Sequence, residues 1–300
     1  MAYLDDTIAV NSNYISMLAA RQRYGDETSR WRLPQTERDG YWPPAAAAWK
    51  EAEKRFPWIR WSDASLSLLA FVRVLADGFM ARDLTISNTE GPDAHQAVAF
   101  RSTGDRTVLD GVELLSHQDT LYAHAMRHFY TRCRVAGTVD FVFGNSAAVL
   151  HATALVVLPR QLRPDKGEND AVTAQGRTDP AQPTGIVLSG CAVNGSDEYM
   201  ELYRRKPDAH RVYLGRPWKE YSRTVYPRCT LAEIVQPQGW MPWNGDFALD
   251  TLYYGEFGSA GPGAAAAGRR VAWSSQVPED HVDAYSVANF VQGHEWIPKA

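Results

Sequence analysis

The chain has 300 residues, of which 45% are hydrophobic and 22% are charged, and its formal net charge is −4. This composition is typical of a globular protein with a sizeable core, and no basic stripe predicts nucleic-acid binding. No apolar run reaches the roughly 18–20 residues of a membrane span, and the three cysteines, Cys133, Cys191 and Cys229, are too few for a disulfide scaffold.

Residues 1–73 differ in pattern from the rest of the chain. Within a Trp- and Ala-rich stretch, "PAAAAWKEAEKRF" predicts a helix, and the remainder shows no regular period. The first residues contain neither a basic n-region nor an apolar h-region, so no secretory signal is predicted in them. We expect residues 1–73 to be irregular or partly helical, and residues 74–300 to form the main domain.

From about residue 74, one strand-like pattern recurs six times. Each copy has a polar or small residue, an anchor, a variable residue and an aliphatic residue, as in "RCRV" and "GCAV". The spacings of the anchors are 28, 21, 21, 37 and 38 residues, and the anchors are Leu84, Val112, Cys133, Ala154, Cys191 and Cys229. Short strands that recur about every 21 residues, with insertions between them, predict a solenoid of parallel strands. We therefore expect an all-β fold over about residues 74–245, with the anchors stacked inward as small apolar side chains.

Two aspartates occupy equivalent places in successive repeats. Asp119 and Asp140 each lie seven residues after an anchor. Equal register on neighbouring coils predicts carboxylates about 5 Å apart, close to the spacing of adjacent strands. Gln96 and Gln118 fall near the same stripe of the solenoid, so the sequence predicts a cluster of two acids and two amides on one face.

This cluster favours acyl chemistry. Two adjacent carboxylates do not both ionise easily, so one keeps a proton and becomes an acid beside a base or nucleophile. The amides of glutamine are neutral donors for an oxyanion. In "YLGRPWKEYSRTV", Arg216 can hold one carboxylate ionised, and Trp218 points the same way on an extended segment.

Other interpretations remain open at this point. Two acids about 5 Å apart also fit a retaining glycosidase. A polysaccharide lyase is another candidate, although a calcium-dependent lyase needs more oxygen ligands than two aspartates supply. Each residue alone is also typical of a structural role, such as an ion-paired Asp at a turn or a Gln in a ladder of stacked amides.

The chain contains, in order, "GPDAHQAVAFR", "QDTLYAH", "GTVDFVFGN", "VTAQGRTDPAQPTGIVL", "YLGRPWKEYSRTV" and "GWMPWNGDFALDTLYYGEF". These segments resemble the plant-type pectin methylesterases, the pectinesterases of carbohydrate esterase family 8. The resemblance begins at about residue 74 and continues to the C-terminus. It implies a right-handed parallel β-helix, hydrolysis of galacturonate methyl esters to methanol and free carboxylates, and no metal or organic cofactor.

The resemblance also implies a role for each candidate residue. Asp140 is the nucleophile, and Asp119 is first the general acid and then the base. Gln96 and Gln118 stabilise the oxyanion, while Arg216 positions and charges Asp140. The aromatic residues that line the cleft and contact the sugar chain are Tyr122, Phe143, Trp218, Trp240 and Trp243.

Partners and location follow from the same resemblance. The expected substrate is methyl-esterified homogalacturonan, and a proteinaceous pectinesterase inhibitor is an expected partner. We expect a monomer in the extracellular cell wall, with no nucleic-acid or membrane partner.

The sequence departs from the family in two places. Residues 1–73 lack the opening apolar strand and Gly-containing turns of the family, so we expect the first coils and the N-terminal cap to be missing or replaced. Val112 stands where the family commonly has the disulfide partner of Cys133. A catalytically impaired β-helix that binds pectin is therefore a further alternative.

Overall fold

The computed structural model describes residues 72–160, 166–265 and 267–298. The helix predicted in "PAAAAWKEAEKRF" and the expectations for the first coils lie outside these residues. In the described part of the chain, the strands form three sheets whose paired strands are parallel, and successive strands of one coil belong to different sheets. The chain is therefore a parallel β-helix, as predicted.

The first sheet carries the candidate site. Its strands, in order across the sheet, are β1 (Val72–Val74), β4 (Phe100–Ser102), β7 (Leu121–Ala123), β10 (Val139–Gly144), β13 (Glu168–Gln175) and β16 (His210–Gly215).

The second sheet is the longest. It contains β2 (Met80–Arg82), β5 (Thr107–Asp110), β8 (Arg127–Thr131), β11 (Ala147–His151), β14 (Gly185–Ser189), β17 (Arg223–Pro227), β19 (Tyr253–Phe257) and β20 (Ser275–Gln276). Strands β19 and β20 extend the solenoid beyond the predicted end at residue 245, because the anchor pattern stops one coil earlier, at Cys229.

The third sheet consists of β3 (Thr85–Ser87), β6 (Glu113–Leu115), β9 (Arg134–Gly137), β12 (Ala154–Val157), β15 (Ala192–Gly195) and β18 (Thr230–Leu231). The helices are α1 (Asp197–Arg205), α2 (Val287–Phe290) and α3 (Gly293–Trp296), together with 3₁₀ turns at Pro92–Ala94, Ala267–Arg269 and Glu279–Tyr285. Among the described residues, no helix has the length and apolar character that a membrane crossing requires.

The corner between the second and third sheets is the same in six coils. Two residues separate the strands at each corner, and the first of them has a left-handed backbone with φ between 47° and 63°; these residues are Asp83, Gly111, Arg132, Ala152, Gly190 and Arg228. The second corner residue is the inward anchor. A single left-handed residue turns the chain sharply. Because every corner has the same two residues, the strands of the third sheet begin at equivalent positions in each coil and turn equivalent side chains inward.

Five of the six predicted anchors stack at these corners, and one is wrong. Ala154 pairs with Arg134 in the third sheet, so the residue that follows Cys133 in the stack is Thr153. Thr153 is 1% exposed, and its hydroxyl donates to the His151 carbonyl at 3.1 Å and accepts from the Cys133 amide at 3.3 Å. These hydrogen bonds offset the cost of burying a hydroxyl, so a polar residue occupies a corner at which the pattern predicts an apolar one.

The interior of the solenoid is apolar and closely packed. Leu114, Leu121, Val142 and Leu150 have no exposed surface, and all belong to one continuous core cluster. The three cysteines are buried and free, as predicted. The C-terminal helices α2 and α3 pack on the outer face of the second sheet, against Val108, Phe129, Val149 and Val187.

Candidate active site

Asp119 and Asp140 lie at the corner where the chain passes from the third sheet to the first. Both have left-handed backbones, with φ of 65° and 54°. Aspartate tolerates this region better than most residues, which accounts for an acid at a position where the strand must bend. The Asp119 amide donates to the Val139 carbonyl at 3.0 Å, so the two aspartates occupy neighbouring coils.

The backbone around Asp140 departs from the regular pairing of the sheet. The pairing of β10 with β13 slips between Val139 and Val142, which marks a bulge that contains Asp140. Gly137 makes the bend possible, because a Cβ there would overlap Phe141 and the His117 carbonyl. Asp140 itself is only 4% exposed, so a charged side chain lies buried within an otherwise apolar strand.

Arg216 satisfies this buried carboxylate. The Arg216 Nε and one terminal nitrogen donate to the two Asp140 oxygens at 2.8 Å and 2.6 Å. The guanidinium also lies over the Trp243 ring, 4.2 Å from its centroid. Arg216 directly follows β16, and its amide donates to Thr173 at 3.0 Å, so both ends of the side chain are fixed.

The two carboxyl groups have different electrostatic environments. Burial raises the pKa of Asp119 to about 7, and the charge of Asp140 adds to that rise, against opposing contributions from Arg216 and Gln118. Burial also raises the pKa of Asp140, but two hydrogen bonds and the charge of Arg216 counter the increase. The group that holds a guanidinium bidentately is the one that stays ionised, so Asp119 is the natural proton donor near neutral pH.

The backbones of the two predicted glutamines pair between successive coils, as the register predicts. Gln96 and Gln118 form a parallel bridge between successive coils, and the Ala97 amide donates to the Gln118 carbonyl at 2.9 Å. Gln96 is exposed and Gln118 is partly exposed, and the Gln118 side chain forms a hydrogen bond with Asp119. Their neighbour Asp119 lies immediately after Gln118 in the chain.

Three of the predicted aromatic residues form one cluster beside the carboxylates. Tyr122 and Phe143 stack with ring centroids 4.2 Å apart, because they are register partners on β7 and β10. The Trp218 ring meets both edge-on, at 5.9 Å from Phe143 and 6.5 Å from Tyr122. Trp218 lies against the backbone at Gly176, where a Cβ would be 2.7 Å from the indole ring.

The structure separates the two remaining tryptophans. Trp243 is 36% exposed and packs on Arg216, so it lies at the cleft. Trp240 is 1% exposed and packs between the rings of Tyr226 and Tyr254, at centroid distances of 5.6 Å and 4.4 Å. A side chain buried in the core cannot contact a sugar, so the prediction that Trp240 lines the cleft is wrong.

The sequence interpretation missed two basic residues beside the aromatic cluster. Arg101 lies over the Tyr122 ring at 4.9 Å, and His124 meets the same ring edge-on at 4.9 Å. A signal for Arg101 was present, because Arg101, Tyr122 and Phe143 follow one another at intervals of 21 residues.

The donor set of the site suits acid–base chemistry. In the described ranges, no group of three or more His, Cys, Asp or Glu side chains is arranged to hold a metal ion. The residues that the structure brings together supply one ion-paired carboxylate, Asp140, and one carboxyl group with a raised pKa, Asp119, to which Gln118 is hydrogen-bonded.

Comparison with known proteins identifies the family. A family model described as pectinesterase matches residues 64–294, and the chain belongs to this family. It is 56% identical over 228 residues to probable pectinesterase/pectinesterase inhibitor 64 of Arabidopsis thaliana, covering 76% of this chain and 38% of that protein. It is 44% identical over 232 residues to pectinesterase 2 of Citrus sinensis, covering 76% and 44%. The chain thus spans less than half the length of these relatives.

Solved structures agree with the fold. Pectin methylesterase from carrot matches with a TM-score of 0.69 and 38% identity, over 76% of this chain and 75% of that chain. A pectin methylesterase from Aspergillus niger matches with a TM-score of 0.62 and 24% identity, over 75% and 68%, and this likeness concerns the fold alone.

Proposed function

We propose that the chain hydrolyses methyl esters of polygalacturonate, releasing methanol and free carboxylates. The observation that carries this proposal is the pairing of unlike carboxyl groups: Asp140 is held by Arg216, and beside it Asp119 has a pKa of about 7. A charged nucleophile and a protonated acid on neighbouring coils are the two groups that acyl transfer from an ester requires.

In the first half-reaction, an Asp140 oxygen attacks the ester carbonyl carbon and forms a tetrahedral intermediate. The amides of Gln96 and Gln118 donate to the negative oxygen that develops there. When the intermediate collapses, the bond to the methoxy oxygen breaks and Asp119 gives its proton to that oxygen. Methanol leaves, and the substrate acyl group remains bound to Asp140 as an anhydride.

In the second half-reaction, the now ionised Asp119 takes a proton from a water molecule, and the resulting hydroxide attacks the same carbonyl carbon. Collapse of this second intermediate breaks the bond to Asp140 and releases galacturonic acid, whose carboxyl group then loses its proton to the solvent. Asp119 is again protonated and Asp140 is again ionised, so the site is restored.

The substrate assignment rests on the cleft and on the relatives. Tyr122 and Trp218 are partly exposed and offer ring surface for a sugar chain beside the carboxylates, while Phe143, which is 7% exposed, packs against both rings. The carrot protein of matching fold is named for its action on pectin methyl esters. We further propose that the chain acts as a monomer in the extracellular cell wall, and that a proteinaceous inhibitor binds it, since several relatives are named pectinesterase/pectinesterase inhibitor.

The decisive experiment measures methanol release from highly methyl-esterified pectin. The wild type should release methanol, and Asp140→Asn should not, while exposed Asp208→Asn serves as the matched control. New reducing ends without methanol would indicate a glycosidase, and unsaturated products would indicate a lyase. Pectin binding by the wild type without any turnover would replace the proposal by the impaired pectin-binding alternative.

A further inference from the structure

After β18 the chain returns to the edge of the first sheet and runs beside β16. Residues 235–241, here called the edge segment, form two parallel bridges with β16, and the Met241 amide donates to the Gly215 carbonyl at 3.1 Å. Gly215 directly precedes Arg216, and Trp243 lies two residues beyond Met241. The edge segment therefore supports both of the side chains that stack at the cleft, the Arg216 guanidinium and the Trp243 ring.

Arg270 binds the backbone of the edge segment. One terminal nitrogen of its guanidinium donates to the Gln236 and Pro237 carbonyls at 3.2 Å and 3.1 Å, and the other donates to the Gly263 carbonyl at 2.9 Å. Gly239 has a left-handed backbone, with φ of 71°, and a Cβ there would lie 2.4 Å from the Arg270 Cδ. The arginine side chain therefore lies directly against the backbone of the segment, and glycine is the residue that leaves room for it.

Glu256 on β19 holds the same guanidinium. The Arg270 Nε and a terminal nitrogen donate to the two Glu256 oxygens at 2.7 Å and 3.0 Å, and the two side chains are 5% and 4% exposed. Together with the three carbonyls, this carboxylate uses all five N–H donors of the arginine. Such a guanidinium is held in one orientation, whereas the single ammonium of lysine cannot reproduce its planar fork. The ion pair thus connects the second sheet to the edge segment of the first.

We propose that Arg270 and Glu256 are positioning residues of the esterase site. By fixing the edge segment, they keep Trp243 over Arg216 and Arg216 on Asp140. The inference rests on the proposed function. Both residues act through the backbone of the segment, from the part of the solenoid where β19 lies, and not on the reacting atoms themselves.

The contact that such positioning protects is the ion pair of the site. Arg216 holds Asp140 by hydrogen bonds of 2.8 Å and 2.6 Å, and hydrogen bonds weaken steeply as their length and angle depart from ideal values. If the edge segment shifts, the guanidinium compensates less of the Asp140 charge, and burial then raises the pKa of that carboxyl group further. The expected signature is a change in the pH dependence of the reaction, which a loss of stability alone does not produce.

A buried ion pair elsewhere in the solenoid provides the matched control. One terminal nitrogen of Arg132 donates to both oxygens of Asp110 at 2.5 Å and 2.6 Å, and these side chains are 7% and 2% exposed. Arg132 lies at a corner between the second and third sheets, away from the first sheet that carries the site. Arg132→Lys should therefore destabilise the fold much as Arg270→Lys does, without moving Arg216.

The first test measures kcat and KM for methanol release from methyl-esterified pectin across pH 5–9, at a temperature where circular dichroism shows that each variant is folded. Arg270→Lys should lower kcat about tenfold at pH 6 and move the acidic limb of its pH profile to higher pH, because Asp140 then ionises at higher pH. Arg132→Lys should melt at a similarly reduced temperature and keep the wild-type profile. An unchanged profile in Arg270→Lys, or an equal shift in both variants, would overturn the proposal.

Glu256→Gln is the second variant, and it takes the place of Arg270→Lys if that protein does not fold. It removes the charge of the carboxylate but keeps its volume and one acceptor oxygen, so the fold is disturbed less. The acidic limb of its pH profile should move in the same direction, and a folded Glu256→Gln with the wild-type profile would equally overturn the proposal.

A measurement without turnover separates this proposal from the proposed function. In protein labelled with ¹³C at the aspartate carboxyl groups, the Asp140 signal is assigned by its loss in Asp140→Asn. It should titrate at a higher pH in Arg270→Lys than in the wild type and Arg132→Lys. That difference without methanol release from any of these proteins would remove the esterase and keep the positioning. Methanol release by the wild type with the same Asp140 titration in all three would overturn the positioning and leave ester hydrolysis standing.

Discussion

Replacing Arg216 by glutamine tests the electrostatic design of the site most directly. The substitution removes the guanidinium but keeps a polar side chain of similar reach. Asp140 and Arg216 have side chains that are 6% and 21% exposed, so the pair is largely withdrawn from water. Removing one partner of a buried pair costs about 3–5 kcal/mol, because the other charge remains buried without compensation.

Because Arg216 is partly exposed, we expect the loss in the free energy of unfolding to lie at the lower end of this range, about 3 kcal/mol. Without the guanidinium, part of the Asp140 population should be protonated near neutral pH, and a protonated carboxyl group is a poor nucleophile, so kcat for methanol release should fall by about one to two orders of magnitude. The pKa of Asp140 should rise, because burial then acts on it without the opposing guanidinium. The remaining activity should therefore move to higher pH.

The assay is methanol release across pH 5–9, with circular dichroism to confirm that each variant is folded. Arg204→Gln is the control for the loss of one positive charge. If Arg216→Gln retained the rate and the pH profile of the wild type, Arg216 would not be the group that keeps Asp140 ionised, and the reasoning from the two hydrogen bonds would fail.

Three further predictions concern the same region. Asp140→Asn should reduce methanol release at least a thousandfold while pectin binding, measured by calorimetry, changes little; comparable activity would eliminate the nucleophile assignment. Folded Asp119 has a pKa of about 7, above its ordinary 3.8, so its contribution destabilises the fold as pH rises from about 4 to 7. Asp119→Asn should then melt a few degrees above the wild type at pH 8 with a smaller gap at pH 4, and a gap independent of pH would contradict this. Trp240→Ala should lower the free energy of unfolding by about 3–5 kcal/mol in a urea titration. Trp243 is exposed, so Trp243→Ala should lower it by less than about 1 kcal/mol but should reduce kcat. Equal losses of stability in the two variants would contradict the assignment of Trp240 to the core and Trp243 to the cleft.

Much of the fold could be predicted from the sequence, because each coil of the solenoid repeats the same short sequence pattern. The two-residue corners put an inward anchor between a polar or small residue and an aliphatic strand, and this recurring pattern predicts five of the six anchors. Thr153 was not predicted as an anchor because threonine is polar in the sequence, and only the structure shows the hydrogen bonds that allow its hydroxyl to be buried. The spacing of Asp119 and Asp140 likewise follows from the period, and the structure places them on neighbouring coils.

The distinction between core and cleft could not be predicted in the same way. Trp240 and Trp243 occur in one segment, "GWMPWNG", outside the regular strands, where no period decides which ring points inward. The packing of Trp240 between Tyr226 and Tyr254 depends on coils that are distant in sequence. Arg101 carried a regular spacing, but its contact with the Tyr122 ring depends on the register of neighbouring coils and is visible only in the structure.

The uniform corners between the second and third sheets have a consequence for how such a chain can diverge. Every long connection in the described coils lies on the other two edges of the solenoid, including the nine residues between β13 and β14 and the segment that carries Trp218. A residue inserted at a corner would turn the next inward side chains to the outside and disrupt the whole stack. A residue inserted into one of the long connections, such as the nine residues between β13 and β14, can be absorbed in the loop and leaves the strands on either side in phase. Changes of loop length can therefore alter the surroundings of the cleft, whereas the hydrophobic interior does not tolerate even a single inserted residue at a corner.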